Sequence, residues 1–184
     1  VIYGERIRLR APEREDLPAF VRWINDPEVR AGISLYLPMS MASEEKWFER
    51  MLERPPDEQP LTIDVREGDG WKLVGNSGFM GFDAHARSAE VGIMIGEKSY
   101  WNQGYGSEAM GLLLQHAFAT LNLNRVFLRV FASNPRAIRA YEKTGYVHEG
   151  RMRQAHYSDG NYIDVLLMSV LRSEWQKVKQ PNSE

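Results

Sequence analysis

Between residues 61 and 95 the sequence holds three short strand-like runs in succession, and after Gly96 the spacing of its apolar residues changes to a helical one. That order limits the available folds more than any other feature. The runs lie at 61–66, 71–82 and 89–95, separated by Gly68-Asp69-Gly70 and by a polar turn at 85–88. Strands joined by such short turns pair antiparallel. Downstream, Ala109, Met110, Leu113, Leu114, Ala117, Phe118 and Leu121 form one helical stripe. Val126, Leu128 and Val130 then alternate with Arg125, Phe127, Arg129 and Phe131, the pattern of a strand. Asn134 followed by Pro135 marks a helix start, Gly145 its end, and Asp159-Gly160-Asn161 a hairpin turn into an extended run at 162–171.

Upstream of the meander, Ile7, Leu9 and Ala11 alternate with Arg6, Arg8 and Arg10, which reads as a half-buried strand. Leu17, Phe20, Val21 and Ile24 fall at helical spacing with Asp16 as the expected cap. A second helix is expected from Ser43, with Trp47, Phe48, Met51 and Leu52 inward and Glu44, Glu45, Lys46, Glu49 and Arg50 on a solvated face. Pro55, Pro56 and Pro60 mark a surface loop, and the tail from Pro181 is expected to fray. The pattern predicts an α/β (α+β) fold: one domain over 1–184, core 6–175, with a mixed, mostly antiparallel sheet of about seven strands and helices on both faces.

Composition narrows the function. A net charge of −2 gives no electrostatic reason to expect nucleic acid or a membrane surface as partner. No apolar run approaches the roughly 18 residues of a spanning helix. With 0 cysteines there is no disulfide, thiolate metal site or thiol nucleophile, which fits a reducing, cytoplasmic compartment. His85, His116, His148 and His156 show no metal-ligand spacing, so no metal is expected. Trp23, Trp47 and Tyr36 read as core residues.

The segment Trp101-Asn102-Gln103-Gly104-Tyr105-Gly106-Ser107 joins a strand to a helix. Glycines allow a tight turn and close approach of a ligand, and a helix start offers unpaired N–H groups and a positive dipole end. Together they suit a phosphate or pyrophosphate; a tight turn without a ligand is the plainer alternative. A Walker A loop is excluded because Ser107 and Glu108, not lysine, follow Gly106. Gly104, Gly106 and Ala109 match the dinucleotide spacing, but they follow an antiparallel meander instead of opening a parallel unit.

This loop, the amphipathic helix after it, and Asn134-Pro135-Arg136-Ala137-Ile138-Arg139-Ala140-Tyr141-Glu142-Lys143-Thr144-Gly145-Tyr146 together resemble the GNAT superfamily of acyl-CoA-dependent N-acetyltransferases. Within it, the chain is most similar to the ribosomal-protein N-terminal acetyltransferase-like branch, with spermidine acetyltransferases nearby. Trp101 stands where the general pattern has Gln or Arg, a feature of that branch. The resemblance implies acetyl-CoA as co-substrate, held by Met94, Ile95, Gly96, the loop residues 101–107, Asn134, Ala137 and Tyr141. It implies that the strand ending at Gly96 splays from the next and pairs with the pantetheine arm, with an N–H near Ile95 for the oxyanion. Tyr141 would act as general acid toward the leaving thiolate, with a core tyrosine as the plainer alternative, and Glu90 would accept the amine's proton through a water, with a solvated face or a pair with Arg87 or Arg129 as its plainer alternative. Asn134 can cap a helix and touch the cofactor together. A homodimer is implied as well.

The acceptor stays open among a protein N-terminus, an amino acid, an amino sugar and a polyamine. A polyamine calls for clustered carboxylates, and Asp26, Glu28, Glu44, Glu45 and Glu49 are available, whereas Ile33-Ser34-Leu35-Tyr36 stands where spermidine acetyltransferases carry an acidic pair. A non-catalytic acyl-CoA-binding module is the alternative; it would not need Tyr141. The lack of cysteine leaves no thiol to carry the acetyl group, which favours direct transfer.

Overall fold

A computed structural model describes residues 1–179; the fraying expected from Pro181 lies outside them. The described residues form β1 (Ile2–Tyr3), β2 (Ile7–Arg10), α1 (Leu17–Asn25), α2 (Pro27–Arg30), α3 (Met41–Leu52), β3 (Leu61–Glu67), β4 (Gly70–Asp83) and β5 (Ser88–Ile95). They continue with α4 (Tyr105–Gln115), β6 (Arg125–Phe131), α5 (Pro135–Lys143), β7 (Val147–Ser158), β8 (Asn161–Leu171) and α6 (Arg172–Lys179). The strands hydrogen-bond in the order β1-β2-β3-β4-β5-β6-β8-β7, an eight-stranded mixed α/β sheet. The extra strand over the expected count is β1, two residues that pair with Leu9 and Arg8 of β2. No helix among the described residues is long and apolar enough to cross a membrane.

The chain divides into two compact units, the first holding residues 1–79 and 92–109, the second 80–91 and 110 onward. In the first, β2 pairs antiparallel with β3 and β3 with β4. Leu17, Phe20 and Trp23 of α1, Val29 of α2 and Phe48 and Met51 of α3 make one buried cluster, with Met94 and Trp101 packed against it. The arginines of β2 are not a solvent stripe. Asp64, 2% exposed, accepts from Arg8 Nε at 2.9 Å and Arg10 Nε at 2.8 Å, and Arg10 also holds both carboxylate oxygens of Asp16 at 2.7 and 2.9 Å. Two buried carboxylates thus have cations, without which their burial would be prohibitive.

Several side chains differ from the sequence pattern. Asp16 does not cap α1; its carboxylate is taken by Arg10 and by the Glu13 N–H at 2.8 Å. Ala11 lies beyond β2 and is exposed, and Leu52 is 51% exposed at the last turn of α3, where the helix leaves the core. Tyr36 is 78% exposed in the segment between α2 and α3 instead of buried. The helix expected from Ser43 begins two residues earlier, because Ser40 caps it by accepting from the Ser43 N–H at 3.1 Å.

Glu44 overturns the solvated-face reading of α3. It is 3% exposed, on the side of the helix that carries Phe48 and Met51 one and two turns on, and its carboxyl has no partner among the described residues. Burial pushes that carboxyl above its ordinary range. A carboxyl raised in the folded state keeps its proton longer folded than unfolded, so stability is lost as pH rises through the unfolded value towards the folded one. Glu44→Gln is therefore expected to raise the unfolding midpoint at about pH 8 and to change it little at about pH 4. Calorimetric scans at the two pH values check this; an equal gain at both would contradict ionisation as the cause.

In the second unit, Ala109's successors Met110, Leu113, Leu114, Ala117 and Phe118 are buried as the stripe requires, while Leu121 is half-buried and Leu123 completes the face. β6 runs parallel to β5 from Ser88–Arg125 to Glu90–Phe127 and antiparallel to β8. β7 and β8 join through Asp159 (φ 49°) and Gly160 (φ 82°), a two-residue turn whose positive φ values match the strand twist. α6, which the apolar pattern did not signal, sets Trp175 against Phe118 with ring centroids 5.4 Å apart.

Candidate active site

In the first unit, β5 ends against its neighbour at two glycines. A β-carbon at Gly75 would stand 2.2 Å from the Met94 carbonyl oxygen, so only glycine lets β4 come this close. The Gly96 and Glu97 N–H groups both donate to the Val74 carbonyl, at 2.9 and 3.1 Å. A β-carbon at Gly96 would stand 2.1 Å from Trp23 Cδ2, so the indole lies directly on the strand end. Trp101 Nε1 donates to the Ile95 carbonyl at 2.7 Å, pinning the loop to the strand it follows. The Trp101 side chain is thus a tie within the protein.

The loop turns through Asn102 (φ 61°) and Gly104 (φ 86°) and enters α4 at Tyr105. Gly104's left-handed backbone is a demand of the turn itself. Gln103 reaches back to the Ser99 carbonyl, and the Glu108 N–H closes the first turn on the Gly104 carbonyl at 3.0 Å. Tyr105, Gly106 and Ser107 occupy the first turn of α4, where backbone N–H groups lack intrahelical partners. Gly106 differs from the other glycines here. A β-carbon there would meet only Ile95 Cγ1, at an ordinary 3.8 Å, and its φ is not positive.

In the second unit, Asn134 caps α5: its Oδ1 accepts from the Ala137 N–H at 3.2 Å, while its Nδ2 donates to no described residue. Tyr141 lies two turns on, 8% exposed, with a hydroxyl that no described residue engages. Burial pushes its phenol up to about 12. Tyr146 packs on it at 5.9 Å between centroids, and the Tyr146 hydroxyl is buried without a partner among the described residues. Glu90 is held at both oxygens by Arg129, Nε at 2.8 Å and Nη2 at 2.9 Å.

The carboxylates considered for a polyamine are mostly matched already. Lys98 Nζ lies 2.8 Å from Asp26 and 3.3 Å from Glu28, and Glu49 pairs with Arg14. Glu45 is exposed, and Glu44 is the buried group described above. No group of three or more potential metal ligands occurs among the described residues. His148 pairs with Glu142, and His156 stacks on Phe131 at 4.1 Å. Arg6, whose guanidinium lies against the glycine loop, looks in a run of alternating arginines like any solvent-facing cation, and nothing local in the sequence marks it.

Along the chain, a meander, a glycine-cornered helix start, a strand and an asparagine-capped helix follow in the order expected of an acyl-CoA-dependent transferase. Residues 6–147 match the acetyltransferase (GNAT) domain family, and the chain belongs to it. It is 30% identical over 176 residues to the uncharacterised N-acetyltransferase p20 of Bacillus licheniformis, across 95% of this chain and 97% of that one. It is 28% identical over 182 residues to the putative ribosomal N-acetyltransferase YdaF of Bacillus subtilis, across 96% and 97%. The crystal structure of spermidine N-acetyltransferase from Vibrio cholerae in complex with CoA and spermine superposes with a TM-score of 0.85 at 25% identity, covering 94% of this chain and 99% of that one. The protein is therefore a GNAT acetyltransferase.

Proposed function

We propose that the chain works as one acetyltransferase domain that moves an acetyl group from acetyl-CoA to a primary amine by direct attack within a ternary complex. The observation that carries this reading is Gly106 in the first turn of α4: neither its backbone angle nor its own packing calls for glycine, and the missing side chain leaves the helix start open to a ligand's close approach. On this reading the loop residues 101–107 seat the pyrophosphate, while Met94, Ile95 and Gly96 line the pantetheine arm and Asn134 and Ala137 touch the cofactor. The amine nitrogen bonds to the thioester carbon, the carbonyl oxygen becomes an oxyanion near the Ile95 N–H, and the C–S bond breaks. The thiolate takes the Tyr141 proton. That phenol, raised by burial, is fully protonated at neutral pH, the form an acid needs. Glu90 accepts the amine's proton through water, its carboxylate oriented by Arg129.

Spermine occupies the Vibrio relative, which supports a small amine as acceptor here. The pairing of Asp26 and Glu28 with Lys98 favours an acceptor of lower charge than a polyamine, because a polycation would first have to displace that lysine. Gly106→Ala tests the loop. Alanine suits the first turn of a helix, so the unfolding midpoint is expected to hold or rise, while Kd for CoA weakens about tenfold or more. Unchanged CoA binding would remove the pyrophosphate from this loop.

A further inference from the structure

We propose that Arg6 is a positioning residue for the cofactor's pyrophosphate: it locks the glycine loop onto β2 and cancels a carboxylate that would otherwise repel the phosphates. This rests on the reading that the 101–107 loop is the pyrophosphate seat. Arg6 precedes β2 and is fixed there, its own carbonyl accepting from the Arg66 N–H at 2.8 Å. From that anchor it reaches the loop along its whole length. Its main-chain N–H donates to Glu108 Oε1 at 2.8 Å and its Nε to Glu108 Oε2 at 2.9 Å. Nη1 donates to the Gln103 carbonyl at 3.1 Å. The guanidinium carbon lies 4.6 Å from the Tyr105 ring centroid. A β-carbon at position 104 would stand 3.3 Å from Nη2, which makes no hydrogen bond to any described residue.

The charge at Glu108 gives this arrangement its purpose. A carboxylate in the first turn of α4 favours the empty helix through the dipole, yet it has the same sign as an arriving pyrophosphate. Arg6 makes the pair neutral and leaves Nη2 on the glycine side with donors to spare. A guanidinium fork is needed, since Nε and Nη1 serve two different acceptors at once.

The test compares Kd for CoA with Kd for pantetheine, which lacks the nucleotide and pyrophosphate, in Arg6→Met, Arg6→Lys, Glu108→Gln and the Arg6→Met/Glu108→Gln double variant. Arg6→Met is expected to lower the preference for CoA over pantetheine about tenfold, and Arg6→Lys about threefold, because lysine keeps the charge without the fork. Adding Glu108→Gln to Arg6→Met should restore part of the preference by removing the unpaired carboxylate. A loop that had merely lost its shape would regain nothing. An unchanged preference in Arg6→Met, or equal losses for both ligands with no recovery in the double variant, overturns the proposal. If Arg6→Met does not fold, Arg6→Lys carries the same comparison. Gly106→Ala separates the two readings. Normal CoA binding in that variant removes the pyrophosphate seat, whereas weakened binding there with a normal Arg6→Met removes only the role of Arg6.

Discussion

Tyr141→Phe is expected to lower kcat about a hundredfold or more while Kd for acetyl-CoA stays within about twofold. Phenylalanine keeps the ring and its packing on Tyr146, and no described residue depends on the Tyr141 hydroxyl for a hydrogen bond. The substitution therefore removes a proton donor and little else. A donor matters because the expelled thiolate is the charge that develops as the C–S bond breaks, and a group acting only then changes turnover more than binding. The alkaline side gives a second signature. With the phenol pushed up to about 12, its own titration takes no part in the pH–rate profile below strongly alkaline pH. The profile of the wild type through neutral pH should therefore keep its shape in the variant, at a lower level. Unchanged turnover would show that the thiolate leaves unaided.

Gly96→Ala is expected to destabilise the protein by about 3 kcal/mol and to weaken acetyl-CoA binding with it. The added carbon would fall 2.1 Å from Trp23 Cδ2, 2.3 Å from Cγ and 2.5 Å from Cε3. A rigid indole 2% exposed within a packed cluster has no free space to move into, so either α1 or the strand end must shift. Trp23→Leu would clear those atoms at the expense of a cavity. Combining the two should cost less than the sum of the single changes, because each relieves the other. Chemical denaturation of the four species measures the coupling; strict additivity would mean that the contact does not govern this strand end.

Much of the fold was legible because it rests on local signals. The change of period after Gly96, the Asn134-Pro135 start of α5 and the Asp159-Gly160 turn all act over a few residues, and each stands where the pattern placed it. What failed depended on partners far along the chain. Asp16 reads as a cap until Arg10 takes its carboxylate, and Glu44 reads as solvated until α3 turns that face inward. Leu52 and Tyr36 obey their spacing and their size but sit where an element ends or a connection is exposed. α2 is a four-residue helix, and α6 carries too few apolar residues to show a stripe. Of the residues proposed to act, the loop glycines, Asn134 and Tyr141 were visible as a family pattern. Arg6 was not, because its meaning comes from Gln103, Tyr105 and Glu108, about a hundred residues downstream.

The claim that this protein catalyses acetyl transfer to an amine is tested most directly by incubating it with acetyl-CoA and a panel of polyamines, amino acids, amino sugars and peptide N-termini. Free thiol is followed together with the mass of each amine. Direct transfer predicts thiol release matched one for one by an amine heavier by one acetyl group, and loss of both in Tyr141→Phe. Acetyl-CoA that binds yet yields neither thiol nor acetylated amine across the panel would contradict it, and would make the protein a binding module.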